Sequence, residues 1–475
     1  MEHLRTGQAA QGREKSVYER LEERFGVVYP ESDRATYTSL LNYSDDLNKP
    51  FQRWYRYKEG FSVELVQQLI REYSRHGKGR ILDPFSGSGS TLLAAREMGY
   101  EGIGFEVNPF SCFLSRCKLD VYDAGTVEEF WQTGQRILRR AAEAAERQEY
   151  PAYALPKLSI SAKVFSQEIE GFYMTVGLLI EELPRETRSQ EQIKALLRLG
   201  WLACLEPLCN YRKAGNGLKY RRYVKPRVIT VEDARAALGE EYANIYEDLA
   251  GNLRQTPEDN LRKDLRQAPE EEPREECPVR AVIHNASCLG MGEYLKEGSV
   301  EGIIFSPPYA NCFDYTEIYK LELWFGGFVK EYPDLKKLRK SSLHSHLNGD
   351  LSGTAREKSP QLEQLLSQLE GKKLWDKKIP QMLRLYYDDM FSVLEECYRA
   401  LGDSGFCCIV VGNSAYGGVI FPADLLLASY AEEIGFTVDK IEVDRYIITS
   451  SQQYEMTKET GKYLRESVVC LVKNK

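Results

Sequence analysis

Two short clusters in the chain carry residue types that could do chemistry. The first is DPFSGSGST, Asp83 to Thr91. Gly87 and Gly89 lack the Cβ atoms that would otherwise meet an approaching ligand, so a strand ending in this turn can seat a nucleoside against its backbone. A phosphate-cradling loop needs a lysine directly before its last Ser/Thr; Gly89-Ser90-Thr91 has none, which disfavours a nucleoside triphosphate. Glu106 follows Gly89 by seventeen positions, near the spacing at which an acid captures ribose hydroxyls in a doubly wound fold. On the plainer reading, the glycines make a tight turn and Glu106 is a solvated strand end.

The second cluster is FSPPY, Phe305 to Tyr309. Successive prolines have no N–H and a fixed φ, so the carbonyls of Ser306 and Pro307 can point into a cleft as acceptors. A serine, free carbonyls and an aromatic face can grip a planar ring bearing an exocyclic amine. Hydrogen bonds from that amine to Ser306 and the Pro307 carbonyl would favour a more tetrahedral nitrogen with a directed lone pair, while Tyr309 stacks on the base through its ring and not its hydroxyl. The plainer reading is a strand stopped by a Pro-Pro turn, with Tyr309 in the core.

The elements that must position these clusters are legible as patterns. RILDPF is an apolar strand, TLLAAREMGY has helical spacing, and GIGFEVNPF returns as a second strand. Such a unit opens a parallel, doubly wound sheet. EGSVEGIIFSPPY supplies a later strand, and FCCIVVG reads as one buried on both faces. RYIITS and ESVVCLVKN are expected to form a terminal antiparallel pair. Between the two halves of the sheet, Val127–Arg147 and Ile169–Asn210 carry helical spacing. Then come a basic run, Tyr211–Arg227, with seven cations and no acid, and an acid-rich stretch with three prolines, Pro257–Glu276, expected to be an exposed linker. The expected division is therefore residues 1–119, a mostly helical insertion over 120–276, and residues 277–475.

Composition narrows the function classes. A chain of 475 residues, 28% charged and 43% hydrophobic, is expected to be globular with two or three domains. No signal peptide or membrane span is expected, and a cytoplasmic location follows from that. Eleven cysteines without a CxxC pair, and five histidines, argue against a metal site. The net charge of −8 means that any nucleic-acid contact must come from a local patch.

Together, DPFSGSGST and SPPY resemble the motifs of the amino-group DNA methyltransferases, which use S-adenosylmethionine (S-adenosyl-L-methionine) to modify cytosine N4 or adenine N6. The resemblance covers roughly Tyr43–Leu119 and Arg280–Lys475. It implies a Rossmann-like class I methyltransferase sheet, doubly wound and mostly parallel, with an antiparallel C-terminal strand and a mostly helical insertion. It also implies cofactor contacts from Asp83, Pro84, Phe85, Gly87, Ser88, Gly89, Glu106 and Asn108. RYKEGFSVELVQQLI resembles the family segment before the cofactor turn and suggests Tyr57, Lys58 and Phe61 near the methionine end. In VIHNASCL, Asn285 occupies the place of the family's acidic residue near the adenine. Ser306, Pro307, Pro308 and Tyr309 would be catalytic, acting on a base flipped out of the duplex by direct displacement.

Serine at position 306 leans towards cytosine N4, with adenine N6 as the runner-up, although Phe305 stands where cytosine-N4 enzymes commonly have threonine. Cytosine C5 methylation needs a thiolate, typically in a Pro-Cys pair, and no cysteine here follows a proline. The family places target recognition in the gap that the insertion fills, so Arg212, Lys213, Lys219, Arg221 and Arg222 are expected to contact DNA; a charge run can also be only a solvated face. Lys336–His346 is a second candidate for the strand near the flipped base, and Asn311–Trp324, with Asp314 and Tyr315, is expected to close the pocket. The expected partners are double-stranded DNA and a cognate restriction or defence system, without membrane or metal. An RNA amino-methyltransferase and a non-catalytic nucleic-acid-binding subunit of the same fold are the rival readings.

Overall fold

The computed structural model describes residues 15–32, 40, 43–58, 60–215, 217–221, 228–254, 280–356, 359–447 and 456–474. The chain begins with α1 (Val17–Arg24) and the short strand β1 (Val27–Val28). α2 (Val63–Tyr73) starts at Ser62, whose hydroxyl accepts the Leu65 N–H at 3.1 Å. Then follow β2 (Arg80–Asp83), α3 (Ser90–Glu97), β3 (Glu101–Phe105) and α4 (Pro109–Leu119). Asn108 caps α4 and Pro109 opens it, so the helix begins directly after the strand.

The next segment folds as α5 (Ala124–Arg147), α6 (Gln167–Glu181), α7 (Arg188–Ala203), α8 (Leu205–Leu208), a hairpin of β4 (Tyr211–Ala214) and β5 (Gly217–Tyr220), and α9 (Val231–Arg254). These helices share one apolar cluster with Trp54 and Tyr55, with Phe110 of α4, and with Tyr319 and Trp324. Arg53 pairs with Asp248 of α9 at 2.7 Å and Trp54 donates to the same carboxylate at 2.8 Å, which ties the segment before α2 to the insertion. The Pro257–Glu276 stretch lies outside the described residues.

β6 (Ala281–His284), β7 (Val300–Phe305), β8 (Leu401–Gly412), β9 (Ser414–Tyr416), β10 (Val419–Phe421), β11 (Phe436–Tyr446) and β12 (Arg465–Lys473) complete the strands. The main sheet runs β1-β11-β12-β8-β7-β2-β3-β6. Within it β12 alone is antiparallel to its neighbours, β8 and β11. Side chains alternate between the two faces. Leu82, Ile303, Phe305, Cys407 and Ile409 enter one core, with helices Ile379–Ala400 and Ala423–Glu433, while Ile81, Ile304, Phe406 and Cys408 enter the other, with α2 and α3. A mostly parallel sheet covered by helices on both faces is the doubly wound arrangement expected. The C-terminal antiparallel pair is present, but its first strand needs correction: β11 begins at Phe436, ahead of the RYIITS run, and Ile448–Ser450 lie outside the described residues. The alternation over Phe436–Val443 is weak because Asp439, Lys440 and Glu442 interrupt it.

Among the described residues, no helix is long and apolar enough to cross a membrane, and no group of three or more His, Cys, Asp or Glu is placed to hold a metal ion.

Candidate active site

β2 lies between β3 and β7, so the chain leaves it in one direction and later returns on its other side. At such a switch point the loops at the carboxyl ends of the strands diverge and leave a crevice. The register sets Leu82 beside Ile303, which brings the turn after Asp83 next to Ser306. A cavity of about 1020 Å³, its open mouth included, lies there, large enough for a nucleoside cofactor. Its walls include Tyr57, Phe61, Asp83, Pro84, Phe85, Ser86, Gly87, Ser88, Glu106, Asn108, Ser306 and Pro308.

Two acids border this space. Asp83 is buried and accepts the Phe85 N–H at 2.9 Å; burial pushes its pKa up to about 7 against the hydrogen bonds from Thr91 and Phe85. Glu106 accepts the Gly87 N–H at 2.8 Å and the Asn108 N–H at 2.7 Å, so it closes the glycine turn onto the end of β3. Burial raises it as well, to about 7, with those backbone bonds acting in the opposite sense.

Three buried polar atoms on these walls have no hydrogen-bond partner among the described residues: Ser86 Oγ, Asn108 Nδ2 and His346 Nδ1. Buried polar atoms are nearly always paired, and these three belong to residues that line one cavity, which fits a polar ligand there. A hydroxyl, an amide N–H₂ and an imidazole nitrogen fit the mixed donors and acceptors of a nucleoside with an amino-acid arm.

A smaller compartment of about 470 Å³ adjoins the first and shares Gly60, Phe61, Ser306 and Tyr315 with it. It adds Tyr309, Asn311, Phe313, Val410, Arg445 and Glu466. Pro307 is buried, and among the described residues no backbone hydrogen bond outside helices and strands takes its carbonyl.

Several residues sit differently from expectation. Gly89 caps α3 at φ +82° and lies off the cavity wall; a Cβ there would come within 2.9 Å of Ser115 Oγ, so this glycine serves the packing of α3 on α4. Gly87 is on the wall at φ +49°, with Tyr57 within 3.2 Å of where its Cβ would be. Lys58 meets Tyr319 through its backbone, and its side chain is not part of the wall. Asn285 is exposed and spends its amide N–H₂ on the carbonyls of Glu106 and Val107 at 2.7 and 3.2 Å, while Ala286, Ser287 and Cys288 line the cavity. Asp314 is buried, pairing with Arg339 at 2.9 Å and accepting from Asn348 at 2.9 Å, and Tyr315 lines both compartments. Lys336–His346 is divided: its lysines are exposed, but Leu338, Ser341–Leu343, Ser345 and His346 line the cofactor-side cavity.

The basic run also divides. Lys213 is not a surface cation. Its Nζ pairs with Glu322 at 2.6 Å, both side chains nearly fully buried, bonds Tyr55 Oη, and lies 4.8 Å from the ring centres of Tyr55 and Tyr319. Arg221 donates to the carbonyls of Tyr211 and Glu206, each at 3.0 Å. Arg212 and Lys219 face each other across the hairpin, both exposed. Like charges directly opposite destabilise a hairpin. β5 packs against the helix Tyr315–Ile318, whose Tyr315 lines both compartments. Arg222, with Tyr223, Lys225 and Arg227, lies outside the described residues.

Sequence reasoning missed Ser86, Arg445 and Glu466, and reached His346 only as the end of the Lys336–His346 run expected near the DNA strand. Ser86 stood inside the glycine turn and could have been found there; the other three are brought in by distant elements.

Comparison with known proteins agrees with this geometry. Residues 10–115 match a family model described as a DNA methylase of the N6/N4 class. The chain is 27% identical over 430 residues to the type II methyltransferase M.AvaI of Nostoc sp., covering 85% of this chain and 83% of that protein. It is 27% identical over 468 residues to the type II methyltransferase M.BsoBI of Geobacillus stearothermophilus, covering 90% and 87%. With M.MjaII of Methanocaldococcus jannaschii it shares 40% identity over 67 residues, 14% of this chain and 12% of that protein. With the glycine turn and the SPPY turn side by side at the switch point of its sheet, these matches support an amino-group DNA methyltransferase family for the chain.

Proposed function

We propose that this protein transfers the methyl group of S-adenosyl-L-methionine to the exocyclic amine of a base turned out of duplex DNA, cytosine N4 in preference to adenine N6. The observation that carries this reading is the junction at Ser306. On one side lies a cavity with two acids and three unpartnered polar atoms; on the other lies a compartment with an aromatic ring.

Glu106 would accept the ribose hydroxyls, with Ser86, Asn108 and His346 supplying further polar contacts and Tyr57 and Phe61 the apolar ones. When bound, the cofactor supplies an electrophilic methyl carbon on a sulfonium. Ser306 Oγ and the Pro307 carbonyl would accept the two amine hydrogens and direct the nitrogen lone pair towards the cofactor side, while Tyr309 packs on the base. Alignment of the two compartments then lowers the barrier, with no covalent enzyme intermediate. Arg212 and Lys219 would hold phosphates beside the flipped base. The type II designation of the relatives supports a partner restriction enzyme that shares the recognised sequence.

The test is to incubate the purified protein with S-adenosylmethionine and unmethylated mixed-sequence duplex DNA, then analyse the digested nucleosides by mass spectrometry. N4-methylcytosine is expected. N6-methyladenine would move the target to adenine, and methylation of structured RNA alone would move it to RNA. 5-Methylcytosine, or no methylated base, would overturn the reading.

A further inference from the structure

The smaller compartment contains a hydrogen-bond chain that no motif marks. Glu466 stands at the start of β12, opposite Arg445 of β11 on one side and Gly412 of β8 on the other. Arg445 Nε donates to Glu466 Oε2 at 2.6 Å, and the Tyr309 hydroxyl donates to Oε1 at 2.5 Å. Ser306 Oγ in turn lies 3.4 Å from Tyr309 Oη as its donor. The run from one charged pair to the catalytic serine therefore has a direction. Because the carboxylate can only accept, the tyrosine must donate to it, and the tyrosine oxygen is left to accept from the serine.

The surroundings are shaped for this arrangement. Gly412 has no side chain where a Cβ would stand 2.6 Å from Tyr309 Cε2, so the ring can lie over the end of β8 with its hydroxyl on Glu466. The Glu466 side chain is only 10% exposed, at the head of a strand that continues SVVCLV. A buried carboxylate is costly unless paired, and an apolar residue would serve the strand better. What the carboxylate adds is a fixed polarity for the two hydroxyls.

From this geometry we infer that Glu466 is a positioning residue for methyl transfer: anchored by Arg445, it orients the Tyr309 and Ser306 hydroxyls so that Ser306 presents only lone pairs to the target amine. With its proton engaged by Tyr309, the serine oxygen accepts an amine hydrogen and cannot compete as a donor for the nitrogen lone pair. On this inference the tyrosine hydroxyl is part of the machinery, in contrast to the expectation that Tyr309 acts through its ring and not its hydroxyl. The inference rests on the methyl-transfer reading above.

The experiment is single-turnover and steady-state kinetics of methyl transfer to duplex DNA by wild type, Glu466→Gln, Tyr309→Phe, the double variant, Arg445→Lys and Arg445→Gln, with cofactor affinity measured by calorimetry on each. Glu466→Gln and Tyr309→Phe are each expected to lower kcat roughly ten- to a hundredfold, the loss typical of a hydrogen bond to a charged group, while cofactor Kd and the KM for DNA stay within about twofold. The double variant should be no slower than the slower single one, since both break one chain. Arg445→Lys should retain more activity than Arg445→Gln. Should Glu466→Gln fail to fold, Tyr309→Phe puts the same question on a conservative change. An active wild type with unchanged kcat in Tyr309→Phe, or additive losses in the double variant, overturns the inference alone. A wild type that transfers no methyl to DNA overturns the reading beneath it as well.

Discussion

Glu106 holds the glycine turn through two backbone N–H groups, yet its pKa is raised to about 7 by burial, as is that of Asp83. The sign follows directly. A carboxyl whose folded pKa lies above its ordinary value binds a proton more readily in the fold, so the stability it contributes is present at low pH and is lost as pH rises through about 7. Accepting ribose hydroxyls requires the ionised form. S-adenosylmethionine should therefore bind more tightly as pH rises from 6 to 8, by up to about tenfold per unit for each linked proton, and binding near neutrality should release protons to the buffer. Calorimetry in buffers of different ionisation heat measures that release. It should fall in Glu106→Gln, and equal apparent heats in every buffer for the wild type would disprove the linkage. Gly87→Val is a poorer probe of cofactor contact, because φ +49° and the nearby Tyr57 ring would strain the turn itself.

The β4–β5 hairpin separates two kinds of cation by strand alternation. Arg212 and Lys219 point outward, while Lys213 points inward onto Glu322 and fastens the hairpin beside the helix Tyr315–Ile318. Replacing Arg212 and Lys219 together with glutamine should weaken DNA binding and reduce the slope of log K against log salt by about two, roughly one unit for each phosphate left without its cation. An unchanged slope in a binding titration would take the hairpin off the DNA. Lys213→Met should act differently: it leaves Glu322 buried without its cation and should destabilise the fold by about 3–5 kcal/mol, read as a lower midpoint in urea. Both kinds of cation were visible in the sequence as one basic run. Which of them is free to meet a phosphate depends on the face the hairpin packs, and that face is set by residues of another part of the chain.

At the scale of the whole molecule, the last strand is locked by a buried charge network. Arg465 donates to Asp424 at 2.8 Å and to Glu22 of α1 at 2.9 Å; Asn413 and Ser467 donate to the same Asp424 at 2.7 and 3.0 Å. Arg465 and Asp424 are fully buried, so α1, the residue following β8, β12 and the helix Ala423–Glu433 meet at one ion pair. Asp424→Ala would leave the guanidinium with one anchor fewer and should cost about 3–5 kcal/mol. Chemical denaturation measures this, and a wild-type midpoint would show that the network is not what holds the strand. Since Glu466 follows Arg465 directly, a loosened β12 should also slow methyl transfer more than it weakens cofactor binding.

The amino-acid sequence by itself determined the two turns and the sheet that carries them. Asp83–Thr91 and Phe305–Tyr309 are short segments in which glycine and proline dictate the backbone locally, and the period-two and helical apolar patterns around them need no distant partner to be read. Tertiary structure alone decided which polar atoms face the cavity. His346 reaches it on a loop anchored by Asp314 and Asn348, Glu466 meets Tyr309 through the pairing of β8 and β12, and Gly89 serves α4 rather than the ligand. These are contacts between segments far apart in the chain, fixed by strand register and by which face each element buries. A register change of one residue between β8 and β12 would turn Glu466 away from Tyr309 while leaving the local pattern intact.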